Sequence, residues 1–121
     1  MRTTILTVDD IEQIGIDKTI EIALEVAWKG ASAVFLSLDI DCVDAGFVPG
    51  TGWPEPGGFL PREMLALLKG VAKEGIVGME VVEVSPPYDI SDITALLAVR
   101  SIVDVLAAMV ENGHVGGRLD A

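Results

Sequence analysis

Two short apolar runs, each leading into a loop of turn-forming residues, most constrain how this chain can fold. Residues 33–38 and 76–84 are the runs, and both have the length and continuous hydrophobicity of strands that are covered on both faces. Segments with amphipathic helical spacing lie before, between and after them, over residues 18–29, from Pro61 to Gly75, and over residues 92–111. Strands that alternate with helices form right-handed crossovers in a parallel sheet. The pattern therefore predicts an α/β fold.

The segments at the two ends carry weaker patterns. Residues 5–8 are either a short strand or an entry segment, and residues 9–12 have the character of a helical turn that Gly15 ends. Asp17 is a candidate N-cap for the first long helix, because its carboxylate can accept from the free N–H groups of the first turn. Residues 114–121 are expected to form a frayed tail.

Two loops separate the predicted strands from the helices that follow them. The first, over residues 42–60, contains three prolines and five glycines, which exclude regular structure. A loop of this length in a compact chain is usually functional. The second begins at Pro86 and Pro87, and Asp89 and Ser91 are the candidates for capping the last helix.

The composition fits one small domain with a large apolar content. The chain has 121 residues, of which 50% are hydrophobic, and its mean hydropathy is +0.51. Small domains have much surface to cover, so this value indicates a core-rich piece of something larger or a subunit with large interfaces. No uninterrupted apolar run reaches the roughly 18 residues that span a bilayer, and we expect no membrane partner.

The charge and the cysteine content narrow the partners and the compartment. The net charge of −11 would repel nucleic acid and anionic membranes and would favour a cationic ligand, although a solvated acidic exterior explains it as well. The single cysteine, Cys42, excludes an internal disulfide. With no signal-peptide pattern after Met1, a reducing cytoplasm is the expected compartment.

Three carboxylates follow the first strand directly. Asp39 and Asp41 are two residues apart, so their side chains share a face of an extended backbone at the strand end where α/β sheets bind ligands. Two hard oxygen donors there suit Mn²⁺, Mg²⁺ or a similar ion. The alternative is that they cap the loop backbone or face water. For Asp44, a hydrogen bond to the turn at Ala45 and Gly46 is favoured over metal binding.

Five further residues are weighed as candidates for chemistry. Glu83, near the carboxyl end of the second strand, could hold a guanidinium group by a bidentate contact, or form a structural ion pair; Glu80 is a weaker candidate deeper in that strand. Trp53, in the middle of the first loop, either walls a pocket or stacks on a planar cation, or else anchors the loop against the core. Cys42 is predicted to be a small buried filler rather than a nucleophile. His114 is predicted to lie on the surface.

Taken together, these residues resemble the ureohydrolase family of arginases, agmatinases and related guanidino-acid hydrolases, and the agmatinase branch more than the arginases proper. The resemblance covers roughly residues 5–110. Its motifs are Ser37-Leu38-Asp39-Ile40-Asp41, Asp44, Phe47-Val48-Pro49-Gly50-Thr51-Gly52, Pro54-Glu55-Pro56-Gly57-Gly58, Glu80-Val81-Val82-Glu83-Val84-Ser85-Pro86-Pro87-Tyr88-Asp89, and Asp92-Ile93-Thr94-Ala95. A D-x-D triplet alone is common, whereas this triplet followed by both loop motifs is specific.

The resemblance implies a three-layer α/β/α fold with a parallel sheet, and a centre of two divalent metal ions, manganese first, with nickel or another ion possible. It implies that Asp39 and Asp41 ligate the metals and that Glu83 receives the guanidinium group of a small cationic substrate. The implied reaction is hydrolysis of a guanidino compound to urea and an amine by water activated between the metal ions.

The chain departs from the family because the upstream motifs of the G-G-D-H and D-A-H-x-D type, and a catalytic histidine, are not in it. Residues 1–121 are therefore expected to be the carboxyl-terminal part of a single ureohydrolase domain, whether a piece of a longer chain, a misplaced start or one chain of a split enzyme. We expect the chain alone to bind no stable metal pair, to be inactive, and to associate with itself or with the upstream half. The alternative is an inactive half-domain that acts as a subunit or binding module.

A second departure concerns the substrate. The family usually has a small hydroxyl residue where Trp53 stands and a proline where Ala45 stands. That loop position borders the substrate in the family, so an indole there removes room. The resemblance therefore implies a small or alkylated guanidine rather than a long amino-guanidine.

Overall fold

The computed structural model describes residues 3–116 and alternates helices with strands as the sequence predicts. Short 3₁₀ turns follow each strand, at Ile40–Cys42 and Pro86–Tyr88. The elements in chain order are α1 (Val8–Ile14), α2 (Ile16–Trp28), β1 (Phe35–Asp39), α3 (Pro61–Ala72), β2 (Gly78–Val82) and α4 (Ile93–Glu111).

The two strands pair in parallel, which confirms the predicted crossover. Phe35 lies beside Gly78 and Asp39 beside Val82, so both strands end at the same edge of the sheet. Both strands are shorter than the apolar runs that predicted them. The second strand ends at Val82 because Glu83 adopts a left-handed conformation with φ of 67°, which cannot continue a strand.

The core lies on one face of this sheet. Leu36 and Leu38 of β1 and Met79 and Val81 of β2 pack with a set of apolar side chains from the helices and the loop, among them Val48, Met64, Leu68, Val105 and Met109. The opposite face carries the exposed residues Phe35, Ser37 and Glu80. Residues 3–116 thus provide the parallel sheet and one helix layer of an α/β fold.

The first helix ends at Gly15, as the sequence predicted, but the second helix starts directly after it, earlier than the sequence predicted. Residues 5–7 form an entry segment rather than a strand, and Thr7 caps α1 through a hydrogen bond from the backbone N–H of Asp10. The prediction of Asp17 as an N-cap was wrong. Gly15 occupies that position with φ of 81°, a conformation open to glycine, so α2 starts at Ile16 and Asp17 lies in its first turn.

The helix α3 lies between α2 and α4. Gly70 of α3 leaves room for Ile20 of α2, because a β-carbon at this position would collide with the isoleucine side chain. On the side of α4, Asp104 is buried and forms ion pairs with Lys69 of α3 at 3.1 Å and with Arg100 of its own helix at 2.7 Å. The three helices therefore form a single layer.

By length and composition alone, α4 could cross a membrane, since an 18-residue window within it has a mean hydropathy of 2.0. Core helices meet the same criterion, and seven residues of α4, including the polar Thr94, Ser101 and Asp104, are buried. The burial of these polar groups against the rest of the domain is the pattern of a core helix. Its outer side is apolar and exposed at Leu96, Val99, Val103, Leu106 and Val110.

Candidate active site

The parallel register brings three carboxylates to one edge of the sheet. Asp39 is the last residue of β1, and its partner Val82 directly precedes Glu83. The 3₁₀ turn then folds Asp41 back, so that its backbone N–H donates to Oδ1 of Asp39 at 3.2 Å. This hydrogen bond agrees with the capping role that the sequence left open for Asp39, and the carboxylate retains free lone pairs.

The electrostatics of the edge favour a cation. Burial raises the pKa of Asp41, and the neighbouring carboxylates of Asp39 and Glu83 raise it further. Like charges held close together disfavour ionisation of each group. A bound cation would remove this penalty, because it would compensate the negative charge in place.

Asp44 has the turn role that the sequence favoured. Its Oδ1 accepts from the N–H of Gly46 at 2.8 Å and its Oδ2 from the N–H of Gly57 at 2.7 Å. The hydrogen bonds from Gly57 and Gly46 lower the pKa of Asp44. The carboxylate thus ties the start of the long loop to its end and is engaged away from a metal.

The long loop returns to the strand where it began. Phe59 donates to the carbonyl of Cys42 at 2.9 Å and accepts from the N–H of Asp44 at 3.0 Å. Gly58 makes this approach possible, because a β-carbon there would lie 2.5 Å from the Cys42 carbonyl oxygen. Hydrogen bonds therefore hold the two ends of the loop together, beside the carboxylates.

Trp53 lies in the part of this loop that passes Glu83. A β-carbon on the preceding residue, Gly52, would lie 4.0 Å from Oε2 of Glu83. The indole is 75% exposed, so the alternative that it anchors the loop against the core is wrong for residues 3–116. An exposed indole on a loop that passes a carboxylate can form one wall of a site for a planar cation.

The surroundings of the three other candidate residues show which of them can take part in chemistry. Burial, and then the nearby Asp39 and Asp41, raise the pKa of the Cys42 thiol to about 11, so it is protonated at neutral pH and a poor nucleophile. Glu80 lies on the exposed sheet face and accepts from Ser37 at 2.9 Å. His114 is exposed, as predicted, with its Nε2 2.7 Å from the Lys73 carbonyl oxygen.

Sequence reasoning missed a polar connection between the loop and α4. Asp89 caps α4, as one of the two predicted alternatives, by accepting from the N–H groups of Thr94 and Ala95 at 3.0 and 2.9 Å. The fully buried hydroxyl of Thr94 in turn accepts from the N–H of Gly50 at 2.8 Å. A threonine in the first turn of an apolar helix was the available signal, but its partner lies 44 residues away.

The described residues fit one side of a metal centre. Asp39 and Asp41 supply hard oxygen donors, and burial together with the neighbouring carboxylates of Asp39 and Glu83 raises the pKa of Asp41. Within residues 3–116, no group of three or more histidine, cysteine or acidic side chains is arranged to hold an ion. Other ligands would have to complete a centre at this edge.

Comparison with known proteins identifies the family. The Arginase family model matches residues 1–108. Over 102 residues the chain is 43% identical to proclavaminate amidinohydrolase of Streptomyces clavuligerus, covering 84% of this chain and 32% of the relative. It is 41% identical over 103 residues to agmatinase of Neisseria meningitidis serogroup C, covering 85% of this chain and 33% of the relative.

Superposition on solved structures indicates the same family. The arginase of Bacillus subtilis superposes with a TM-score of 0.81 at 32% identity, over 86% of this chain and 36% of the arginase chain. The predicted arginase-like fold and the resemblance to the carboxyl-terminal part of these enzymes are thus confirmed, and the chain spans about a third of the length of its relatives. The chain belongs to the arginase family.

Proposed function

We propose that these residues are part of an enzyme that hydrolyses a guanidino compound to urea and an amine. The observation that carries the proposal is the meeting of Asp39, Asp41 and Glu83 at the carboxyl edge of the parallel sheet, which is where ligands bind in α/β folds. Membership of the arginase family supports the reaction class, since relatives carry the names agmatinase and proclavaminate amidinohydrolase.

Each of the three carboxylates has a role in this proposal. Asp39 and Asp41 hold divalent cations, and Glu83 accepts two N–H groups of the substrate guanidinium, which fixes its plane. When bound, divalent ions, manganese, nickel or another, would supply water of lowered pKa. The overall hydrolysis would consume one water, break the C–N bond to the amine, and place the oxygen of that water on the carbon of urea and its protons on the departing nitrogen group.

The partners of the proposed enzyme follow from the exposed surfaces. Within residues 3–116, the outer side of each strand in the two-stranded sheet is unpaired. Phe35 on the open sheet face and Leu96 on α4 also expose apolar side chains. Unpaired edges and apolar faces are surfaces for association. We propose that the remainder of an arginase-family domain, in the same or another chain, or a further copy of this chain covers them.

The substrate is a small or alkylated guanidine in this proposal. The exposed indole of Trp53 lies on the loop that passes Glu83, and it would occupy the space that a long amino-alkyl chain needs. A planar cation can also stack on the ring. In this reading Trp53→Thr enlarges the site and shifts preference toward agmatine.

A chimera tests the proposal in a complete enzyme. This chain replaces the aligned 103 residues of the meningococcal agmatinase, and urea release is measured from guanidine, methylguanidine and agmatine. We expect release that Asp41→Asn and Glu83→Gln each reduce about 100-fold or more, because each removes a group that acts in the reaction. Trp53→Thr should raise the ratio of agmatine to guanidine turnover.

Glu74→Gln is the matched control. Glu74 is an exposed acidic residue that precedes β2 and so lies at the opposite edge of the sheet, and its replacement should leave turnover unchanged. Equal activity of the Asp41→Asn chimera and the parent chimera would overturn the proposal. A folded, metal-loaded chimera without activity would favour the alternative of a non-catalytic module, which the chain's exposed apolar surface also suits.

A further inference from the structure

We propose that Asp89 and Thr94 are positioning residues, which hold the loop segment Gly50–Trp53 beside Glu83 from the amino end of α4. In this proposal a buried chain of hydrogen bonds, and not the packing of Trp53, sets where the indole stands relative to the carboxylate. The hydrogen bonds themselves are observed in the structure and do not depend on the proposed function. Their consequence for substrate specificity rests on the proposed function.

The first link fixes Asp89 to α4. The residue at the N-cap position, Asp92, makes no side-chain hydrogen bond to the helix. Asp89 replaces it, with one carboxylate oxygen on the N–H of Thr94 and the other on the N–H of Ala95. These contacts use both oxygens and orient the carboxylate along the first turn, where the helix carries partial positive charge.

The second link fixes the loop to the helix. Thr94 is completely buried, and its hydroxyl accepts the N–H of Gly50 at 2.8 Å. Gly50 has no room for a side chain, because a β-carbon there would lie 2.5 Å from the β-carbon and 2.6 Å from the carboxyl carbon of Asp89. The loop backbone is thus in contact with both Asp89 and Thr94.

The third link fixes the same loop residues to the segment that follows Glu83. Ser85 donates its N–H to the carbonyl of Gly50 at 2.7 Å, and Thr51 forms an antiparallel bridge with Val84. The backbone N–H and carbonyl of Gly50 therefore join α4 to the end of β2. Since Glu83 directly precedes Val84, the position of Gly50–Trp53 relative to Glu83 depends on its hydrogen bonds both to this segment and to α4.

Amide hydrogen exchange on the full 121-residue chain tests these links without any need for activity. Thr94→Val keeps the shape of the side chain and removes the acceptor of the Gly50 N–H. We expect exchange at Gly50 to accelerate about fivefold, the size of one net hydrogen bond, with a smaller increase through Trp53. Thr94→Ser restores the hydroxyl and should restore slow exchange.

Thr19→Val is the matched control. Thr19 is also a buried threonine in the first turn of a helix, and its hydroxyl donates to the carbonyl of Gly15 at 2.9 Å. Its replacement should leave exchange at Gly50–Trp53 unchanged. Equal effects of Thr19→Val and Thr94→Val on this segment, or no effect of Thr94→Val, would overturn the proposal. If Thr94→Val does not fold, Gly50→Ala, whose methyl group collides with Asp89, must accelerate exchange in the same segment.

The chimera described above tests the consequence for specificity. Thr94→Val should raise KM for guanidine about tenfold with a smaller change in kcat, because the loop wall and not the reacting centre is displaced, and Thr94→Ser should recover the parent KM. Loss of slow exchange without a change in KM would overturn the role in specificity. An inactive parent chimera would count against the proposed function alone, since the exchange result does not depend on it.

Discussion

Glu83 carries two properties that oppose each other. Its backbone is left-handed with φ of 67°, a conformation that costs a residue with a β-carbon about 1–2 kcal/mol. A glycine would remove this cost but also the carboxylate. Strain that persists at a strand end beside a candidate site is typical of residues kept for function.

The left-handed backbone of Glu83 predicts that two substitutions at this position differ in the stability of the chain. Glu83→Gly should be more stable than Glu83→Ala by about 1 kcal/mol in the free energy of unfolding, because only glycine adopts this conformation without strain. Urea denaturation of both variants measures the difference. Equal stability of the two would show that the left-handed conformation costs nothing here.

Asp44 predicts an acid-sensitive loop. Hydrogen bonds from Gly57 and Gly46 lower its pKa below the usual 3.8, so the stability that it contributes is fully present above that pH and is lost as the pH falls through the lowered value. In a Trp28→Phe background, the fluorescence of Trp53 should change as the pH falls below 3.8. Asp44→Asn should alter the loop signal already at neutral pH and remove this part of the acid transition.

At the scale of elements, the helix layer depends on the contact between α3 and α4. Met64 is buried at the centre of this contact, and the hydroxyl of Ser101 lies 3.7 Å from its sulfur. The ion pairs of Asp104 close one side of the same contact. The position of α4, and through Thr94 the position of the loop, therefore depends on how well this interface is filled.

Truncating the buried methionine should loosen the layer. Met64→Ala is expected to reduce the free energy of unfolding by about 2–5 kcal/mol, through lost burial and the cavity that remains. Leu96→Ala, at a side chain that is 64% exposed on the outer side of α4, should cost well under that amount. Thermal or urea unfolding followed by circular dichroism compares them, and similar costs for both would contradict the packing described here.

Elements were more predictable than their boundaries. The periodicity of residues 92–111 located α4 to within a residue, because a long apolar stripe has few alternative arrangements. The helix at Pro61 also began where predicted. The start of α2 was predicted two residues late, at residue 18, because Asp17 matched the N-cap pattern, whereas Gly15 occupies the N-cap position in the structure.

At the scale of the whole molecule, an incomplete donor set and uncovered apolar surfaces go together. Two aspartates are too few donors for a tight site of a hard cation, and among residues 3–116 no group of three or more histidine, cysteine or acidic side chains is arranged to hold an ion. The open face of the sheet and the outer side of α4 expose large apolar side chains such as Phe35 and Val99. Both features agree with the proposal that residues beyond those described, in this or another chain, complete the site.

Two measurements on the purified chain check this expectation. Calorimetric titration with Mn²⁺ should give a dissociation constant of roughly 1 mM, at the weak end of protein oxygen sites, and no urea should be released from guanidine. Sedimentation should show association that grows with concentration, because apolar surfaces of this kind pair. Micromolar binding of two manganese ions by a monomer would contradict the prediction.

Local patterns in the chain were enough for the α/β class, the carboxylates that follow β1 and the turn role of Asp44, because each depends on neighbours within a few residues or on a regular period. The meeting of Glu83 with Asp39 and Asp41, the left-handed backbone of Glu83 and the hydrogen bond between Gly50 and Thr94 depend on the register of β1 with β2 and on the packing of α4. Contacts between residues about 44 positions apart leave no periodic pattern in a single sequence, so only the tertiary structure defines their geometry.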